Sequence, residues 1–454
     1  MKNLSFAQVL YYLTSDLKFD FDAIKNFSDQ CPPGSVVDFG AGYGRTASVH
    51  NNRKQFLVEN CKDMINLINA PTELDIEIKE EHAHNISIPS NSVSLCTFCW
   101  ATLGELRPLV FAIGEAARVL KKGGGLYTVM LNSETNTMPE KGLRWKHSSP
   151  TSFTASITTL PYSEIGQYEY QTQMKVRNTE GDDFYIIKQA FPPANVLAEL
   201  LKEFGFNQIK ISDAQSGLSF DKDKTKLYQI TAIKESEEVS ADQKALKNIY
   251  NSIASRYDSV VLDGKYQGLE WLKRKIKPFE GSYPMVLDLG CGNGISSNVF
   301  KELNIHGSIY GIDFSEEMIL KAREKNYYKG LIAYDLNKRF PIIESLEFDM
   351  VLALGVLEFV SDIDKMLKNI RNILTLAGEA FLTFELTTED SLPSGQVIPT
   401  HEYTKYHYTK EEIVNKLSHS NLHIIEIEEG PGYFSPTLKK DVPYLYVHVS
   451  RRTL

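Results

Sequence analysis

The sequence predicts an α/β protein built as two doubly wound domains in tandem. Three observations carry that expectation. A short apolar run closes on a glycine-rich segment twice, in Val36-Val37-Asp38-Phe39-Gly40-Ala41-Gly42-Tyr43-Gly44 and in Val286-Leu287-Asp288-Leu289-Gly290-Cys291-Gly292-Asn293-Gly294. Gly40 and Gly290 lie 250 positions apart, a period that marks duplicated domains rather than a solenoid. Each glycine segment is then followed by the same alternation of strand-like and helical runs, the pattern of a parallel sheet covered by helices.

In the first half, Val36–Phe39 reads as a strand, Gln55–Glu59 as a second, and Leu126–Leu131 as a later one. Leu109, Ile113, Ala116, Ala117 and Leu120 have helical spacing, and Lys121-Lys122-Gly123 reads as the helix end. Residues 134 to 192 have no counterpart in the second half. They read as antiparallel strands, Phe153–Thr159, Tyr168–Arg177 and Phe184–Ala190, with a turn at Asn178–Gly181. This insertion is expected to cap the C-terminal edge of the first sheet. In the second half, Ile363, Met366, Leu367, Ile370 and Ile373 share one helical face ahead of the strand Ala380–Phe384. Pro393–Tyr408 reads as a polar, aromatic loop, and Thr409-Lys410-Glu411-Glu412 as a capping box. Glu235–Lys244 is polar and acidic and reads as a linker, so the expected domains are 1–238 and 239–454.

The bulk composition narrows the class. Of 454 residues, 42% are hydrophobic and 24% charged, an ordinary globular balance. The formal net charge of −9 disfavours non-specific nucleic-acid binding, which rests on Lys and Arg. Five scattered cysteines do not form a disulfide framework, and Cys96-x-x-Cys99 sits in an apolar strand, where packing is the better reading than metal or redox chemistry. With no secretory leader pattern and no run of about 18 apolar residues, the expectation is a cytoplasmic protein without membrane contact.

A strand that ends in tight glycines lets backbone approach a ligand closely. The dinucleotide fingerprint is G-x-G-x-x-G, whereas both copies here are G-x-G-x-G, followed by Arg45 and Ile295. Both also place an acid, Asp38 or Asp288, two residues before the first glycine. A carboxylate there suits a cationic ligand group and would repel a pyrophosphate. The pattern resembles the class I S-adenosyl-L-methionine-dependent methyltransferases, over most of both halves. The resemblance implies a Rossmann-like fold in each half and one S-adenosyl-L-methionine per domain, with S-adenosyl-L-homocysteine as product. It implies cofactor contacts from Asp38, Gly40, Gly42, Gly44 and Glu59 in the first half. In the second it implies Tyr257, Asp288, Gly290, Gly292, Gly294, Asp313 and Asp335. Glu59 and Asp313, 21 and 25 residues after the first acids, match the family's ribose-binding carboxylate. Asp335 matches the residue that meets the adenine amino group, and the first half places His82 there. A neutral imidazole can still accept a hydrogen bond. A solvated strand-end acid, a plain loop histidine and ordinary packing of Tyr257 are the competing readings.

Methyl transfer is an in-line displacement that needs positioning more than a fixed catalytic residue. If a base is used, His401, His407 and Tyr403 on the 393–408 loop are the candidates. Neither half contains the Asn/Asp-Pro-Pro-Tyr signature of nucleobase and amide methylation, so the expected partner is a small-molecule acceptor methylated on N or O, and not nucleic acid. The layout is similar to the plant phosphoethanolamine N-methyltransferases, which implies two successive methylations. The alternatives are a catalytic second domain with a degenerate regulatory or substrate-binding first domain, and a sensor that only binds S-adenosylmethionine.

Overall fold

The computed structural model describes residues 6–50, 52–69, 71–135, 143–148, 154–161, 169–178, 181–235, 241–344, 347–388, 396–398, 403–435 and 439–451. The chain divides into two units, residues 1–237 and 238–454.

The first unit opens with helices α1 (Phe6–Thr14) and α2 (Phe21–Gln30). Strands β1 (Val36–Phe39), β2 (Gln55–Glu59), β3 (Ile76–Glu80), β4 (Val93–Phe98) and β5 (Leu120–Leu131) follow. Between them lie α3 (Lys62–Ile65), α4 (Thr102–Glu105) and α5 (Leu109–Val119). All six residues of β4 are buried, as expected of a strand covered on both faces. The insertion forms β6 (Leu143–Ser148), β7 (Thr154–Pro161), β8 (Glu169–Asn178) and β9 (Gly181–Ala190). These make a four-stranded antiparallel sheet, one strand more than the sequence pattern suggested. On β8, Thr172 and Met174 are buried and Gln173 is exposed, the alternation of a half-covered strand. Helix α6 (Ala194–Glu203) then leads to β10 (Phe206–Asp213) and β11 (Leu227–Lys234).

The second unit begins with α7 (Ala241–Ile253), α8 (Tyr257–Asp263) and α9 (Gly268–Ile276). Helix α7 starts inside the segment that the sequence reads as linker. Its strands are β12 (Met285–Leu289), β13 (Ser308–Asp313), β14 (Gly330–Ala333), β15 (Phe348–Ala353) and β16 (Leu374–Glu385). They alternate with α10 (Ser297–Glu302), α11 (Glu316–Glu324) and α12 (Ile363–Ile373). Helix α12 buries Ile363, Met366, Leu367, Ile370 and Ile373, and the Asp362 side chain caps it by accepting from the Lys365 N–H. A hairpin of β17 (Gln396–Ile398) and β18 (Tyr403–Lys405) occupies much of the segment expected to be a loop. Helix α13 (Lys410–His419), with a complete Thr409–Glu412 capping box, precedes β19 (His423–Ser435) and β20 (Lys440–Ser450).

Both units carry the same seven-stranded sheet, ordered β10-β11-β5-β4-β1-β2-β3 and β14-β13-β12-β15-β16-β20-β19. β11 and β20 run antiparallel to their neighbours; the pairings among the first five strands of each unit are parallel. The chain leaves β1 toward β2 on one side and later returns as β4 on the other, and β12 repeats this with β13 and β15. Such a reversal opens a crevice at the strand tips, where the glycine segments lie.

Candidate functional site

In the second unit, Gly290, Gly292 and Gly294 adopt φ of +70°, +54° and +77°, a region that side-chain-bearing residues rarely enter. A Cβ on Gly290 would collide with Val356, and one on Gly292 would stand 3.3 Å from the Tyr257 ring. The Gly292 N–H donates to Asp313 Oδ2 at 2.9 Å, and the Ser315 N–H donates to Oδ1 at 2.9 Å. Two backbone donors leave lone pairs on that carboxylate for ligand hydroxyls. Asp288 is buried beneath the loop and accepts from Ser296 Oγ and from the Tyr328 hydroxyl. Burial pushes both Asp288 and Asp313 up to about 6, against the hydrogen bonds that hold their charged forms.

Above the loop lies a cleft of about 720 Å³, the open solvent at its mouth included. Tyr257, Gly290, Gly292, Asp313 and Asp335, all singled out from the sequence, line it together. Asp288 and Gly294 do not line it; they shape the loop from below. The remaining walls were not legible in the motif. Gln243 and Tyr250 come from α7, Phe314 and Tyr334 follow strand ends, and Val356 and Phe359 follow β15. Gln243 Nε2 donates to Asp335 Oδ2, and the Asn337 N–H donates to its Oδ1 at 2.9 Å. Helices α7 and α8 are stapled over the cleft. Ser315 Oγ donates to Asn251 Oδ1 at 2.6 Å, and Asn293 Nδ2 donates to Asp258 Oδ1 at 2.7 Å. Glycine spacing carries no record of these partners, because they arrive from a helix some 40 residues upstream in the chain.

The first unit repeats the loop. Gly40, Gly42 and Gly44 have φ of +61°, +58° and +75°. The Gly42 N–H donates to Glu59 Oε2 at 2.8 Å, the counterpart of the Gly292–Asp313 bond. Glu59 Oε1 accepts from the Asn60 and Cys61 N–H groups at 3.0 and 2.9 Å. Asp38 is buried and accepts from Thr46 Oγ1 at 2.6 Å and Thr97 Oγ1 at 2.7 Å; burial raises its pKa. The N-terminal helices staple this loop too, through Thr14 Oγ1 and the Tyr43 hydroxyl at 2.9 Å and the paired Arg45–Asp20 contacts at 2.8 and 2.6 Å. His82 stands two residues past β3, as Asp335 stands two past β14. The His84 N–H reaches His82 Nδ1 at 3.3 Å, the same i to i+2 bond that Asn337 makes to Asp335.

The loop bases expected from the sequence lie differently. His401 falls outside the described residues. Tyr403 is half-buried, its ring 5.9 Å from Phe359, and burial pushes its hydroxyl up. His407 is buried, with Nε2 3.0 Å from Glu385 Oε1. Lys405 Nζ pairs with the other oxygen of Glu385 and lies 3.1 Å from the Tyr433 hydroxyl. Neither Tyr403 nor His407 lines the cleft. The acid at the end of β16 draws the Lys405 and His407 side chains inward, so the 403–408 segment is packed against the domain. Burial, which alone would raise Glu385, is outweighed by His407 and Lys405, and its pKa falls. Glu358 is also buried; its Oε1 accepts from the Tyr444 hydroxyl at 2.7 Å, and burial raises its pKa. Cys96 and Cys99 are buried thiols pushed well above their ordinary range by that burial. No described helix is long and apolar enough to cross a membrane.

Comparison with known proteins agrees with this geometry. The family described as "Methyltransferase domain" matches residues 283–429. The chain is 32% identical over 173 residues to a carboxy-S-adenosyl-L-methionine synthase of Helicobacter pylori, covering 35% of this chain and 68% of that protein. It is 30% identical over 159 residues to a tRNA U34 carboxymethyltransferase of Campylobacter curvus, covering 34% of this chain and 52% of that one. The chain thus spans about half the length of the latter relative. A solved phosphoethanolamine N-methyltransferase 2 of Haemonchus contortus aligns over 95% of this chain and 98% of its own, at 12% identity and a TM-score of 0.40. The chain belongs to the class I S-adenosylmethionine-dependent methyltransferases. Its C-terminal half contains a methyltransferase domain, and its two units carry Rossmann-like sheets in tandem.

Proposed function

We propose that each unit, taken as domains 1–238 and 239–454, holds one S-adenosylmethionine and methylates N or O of a small-molecule acceptor, in two successive transfers. The observation that carries this reading is the repeated bond from the middle loop glycine to the acid ending the second strand, Gly42 to Glu59 and Gly292 to Asp313. That bond fixes the carboxylate beside the loop, facing the position of a ribose. In the second domain Asp335 is set to accept from the adenine amino group, and Tyr257 to cover the chain above Gly292. Bound S-adenosylmethionine supplies a methyl group already activated by its sulfonium. The protein then has to orient the acceptor, exclude water and keep the nucleophile unprotonated. A nucleic-acid acceptor, which the name of the Campylobacter relative states for that protein, fits poorly with a net charge of −9.

Titration calorimetry with S-adenosylhomocysteine on the full chain tests the reading. Two sites are expected, with Glu59→Ala removing one and Asp313→Ala the other. Each loss should weaken binding by about 100-fold, the scale of charge-assisted hydrogen bonds. A single site, abolished by Asp313→Ala and untouched by Glu59→Ala, would instead support a second reading. In that reading the second domain alone is catalytic and the first regulates or holds substrate. The imidazole of His82 in the place of an acid is the observation in its favour. Transfer of labelled methyl from the cofactor to a metabolite extract separates both from a binding-only sensor.

A further inference from the structure

The two domains differ most where the fourth strand ends. Thr102 faces Gly40 as Val356 faces Gly290; in each case a Cβ on the glycine would collide with that side chain. Three residues beyond these stand Glu105 and Phe359. Phe359 lines the cleft of the second domain. Its counterpart Glu105 keeps its side chain exposed, on the short α4 that follows two left-handed residues, Trp100 (φ +54°) and Ala101 (φ +60°). One of its oxygens is tethered by the insertion. Gln189 on β9, buried, donates from Nε2 to Glu105 Oε1 at 2.9 Å. The Gln189 amide is in turn oriented by the Thr172 hydroxyl on β8, which donates to its Oε1.

The sheet order sets what Glu105 faces. With a ribose on Glu59 at the tip of β2 and the amino-acid chain over the loop after β1, the sulfonium methyl points toward the tip of β4. We infer that Glu105 is the acceptor-contacting residue of the first domain, and that the acceptor there is an amine. This rests on the reading that the first domain holds S-adenosylmethionine. The acceptor N–H donates to the Glu105 carboxylate. As the nitrogen lone pair bonds the methyl carbon, the carbon–sulfur bond breaks, S-adenosylhomocysteine is left as a neutral thioether, and the nitrogen's proton passes to Glu105. The insertion then serves as more than a lid, because Gln189 aims the carboxylate. Neighbouring atoms and the Glu59 charge raise the Glu105 carboxyl above the usual carboxylate range, against the Gln189 bond and moderated by its exposure. Of the groups facing it, Glu59 on β2 is ionisable and Gln189 on β9 is neutral.

The test needs no acceptor. Sinefungin carries an amine where the cofactor carries its methylsulfonium, so it presents a nitrogen to Glu105; S-adenosylhomocysteine does not. Both are titrated into the full chain with the second cleft silenced by Asp313→Ala, and again with Glu105→Gln added. The expected result is that sinefungin binds the first domain about tenfold more tightly than S-adenosylhomocysteine at a pH of about 8. The preference should shrink as the pH is lowered and Glu105 is protonated. Glu105→Gln should erase it while leaving S-adenosylhomocysteine affinity within about twofold, which also shows that the variant is folded. Binding of S-adenosylhomocysteine with no sinefungin preference, or with one that survives Glu105→Gln, overturns the inference and leaves the cofactor reading intact. No S-adenosylhomocysteine binding in the Asp313→Ala chain overturns the cofactor reading itself, and the inference with it.

Discussion

The two domains share a glycine loop of one hydrogen-bonding design and diverge in what is laid over it. In both, three left-handed glycines run beneath an acid-to-glycine hydrogen bond, and helices upstream staple the loop. A Cβ on Gly292 would meet Tyr257 at 3.3 Å, whereas among the described residues nothing lies within 4 Å of the corresponding Cβ position at Gly42. The second domain packs a buried Glu385–Lys405 ion pair, with His407 hydrogen-bonded to the same carboxylate, beside Glu358. The first leaves an exposed Glu105 tied to an added β-sheet. Backbone conformation is set by the shared motif, while the covers set what each loop can be used for.

Four predictions, on five substitutions, would break or sharpen that comparison. The largest effect is expected from Lys405→Met, which takes the lysine from the buried Glu385 carboxylate, near Glu358, and leaves it to His407 and Tyr433. The second domain should lose about 3 to 5 kcal/mol, the cost of unpairing a buried charge, with the first domain unaffected. Hydrogen exchange measured separately on the two domains reads this. Next come the loop glycines. Gly290→Ala combines left-handed strain with a collision against Val356 and should cost about 3 kcal/mol. Gly42→Ala meets open space and should cost about 1 kcal/mol of strain alone. Equal losses in urea unfolding would show that the covers do not distinguish the loops.

The third concerns pH. Asp288 is raised from 3.8 to about 6 in the folded chain, so the unfolded chain deprotonates first as pH rises. The penalty is absent below a pH of about 4, grows to about 6, and is constant above. Asp288→Asn removes it, so the variant's second domain should gain on the natural one by about 2 to 3 kcal/mol across that window. A stability difference that stays flat with pH would sink this account. The smallest effect is expected at Ala101, left-handed at the bend after β4, where the second domain uses Gly355 at φ +67°. Ala101→Gly should relieve strain by somewhat under about 1 kcal/mol, visible as a slightly higher unfolding midpoint for the first domain.

Much of this was legible in the sequence because it is local. Strand–glycine–helix punctuation, the 250-residue repeat and the spacing of Asp38 to Glu59 and Asp288 to Asp313 are properties of short segments. A backbone that must enter the left-handed region records the need as glycine, and a strand covered on both faces records it as an unbroken apolar run. The Thr409 capping box and the face of α12 are readable for the same reason. Other features depend on segments far apart in the chain and left no local trace. The start of α7 looked like linker because its apolar residues are sparse, yet it carries Gln243 to Asp335. His407 and Tyr403 looked like loop bases; the tertiary structure turns His407 onto Glu385, 22 residues earlier. Glu105 was one residue at the end of a strand until Gln189, 84 residues later, was folded against it. The sequence by itself determined two glycine loops of one design, since hydrogen bonding and steric limits act between near neighbours. Which side chains stand over each loop was decided only by the tertiary structure, because burial and charge pairing depend on distances that sequence spacing does not encode.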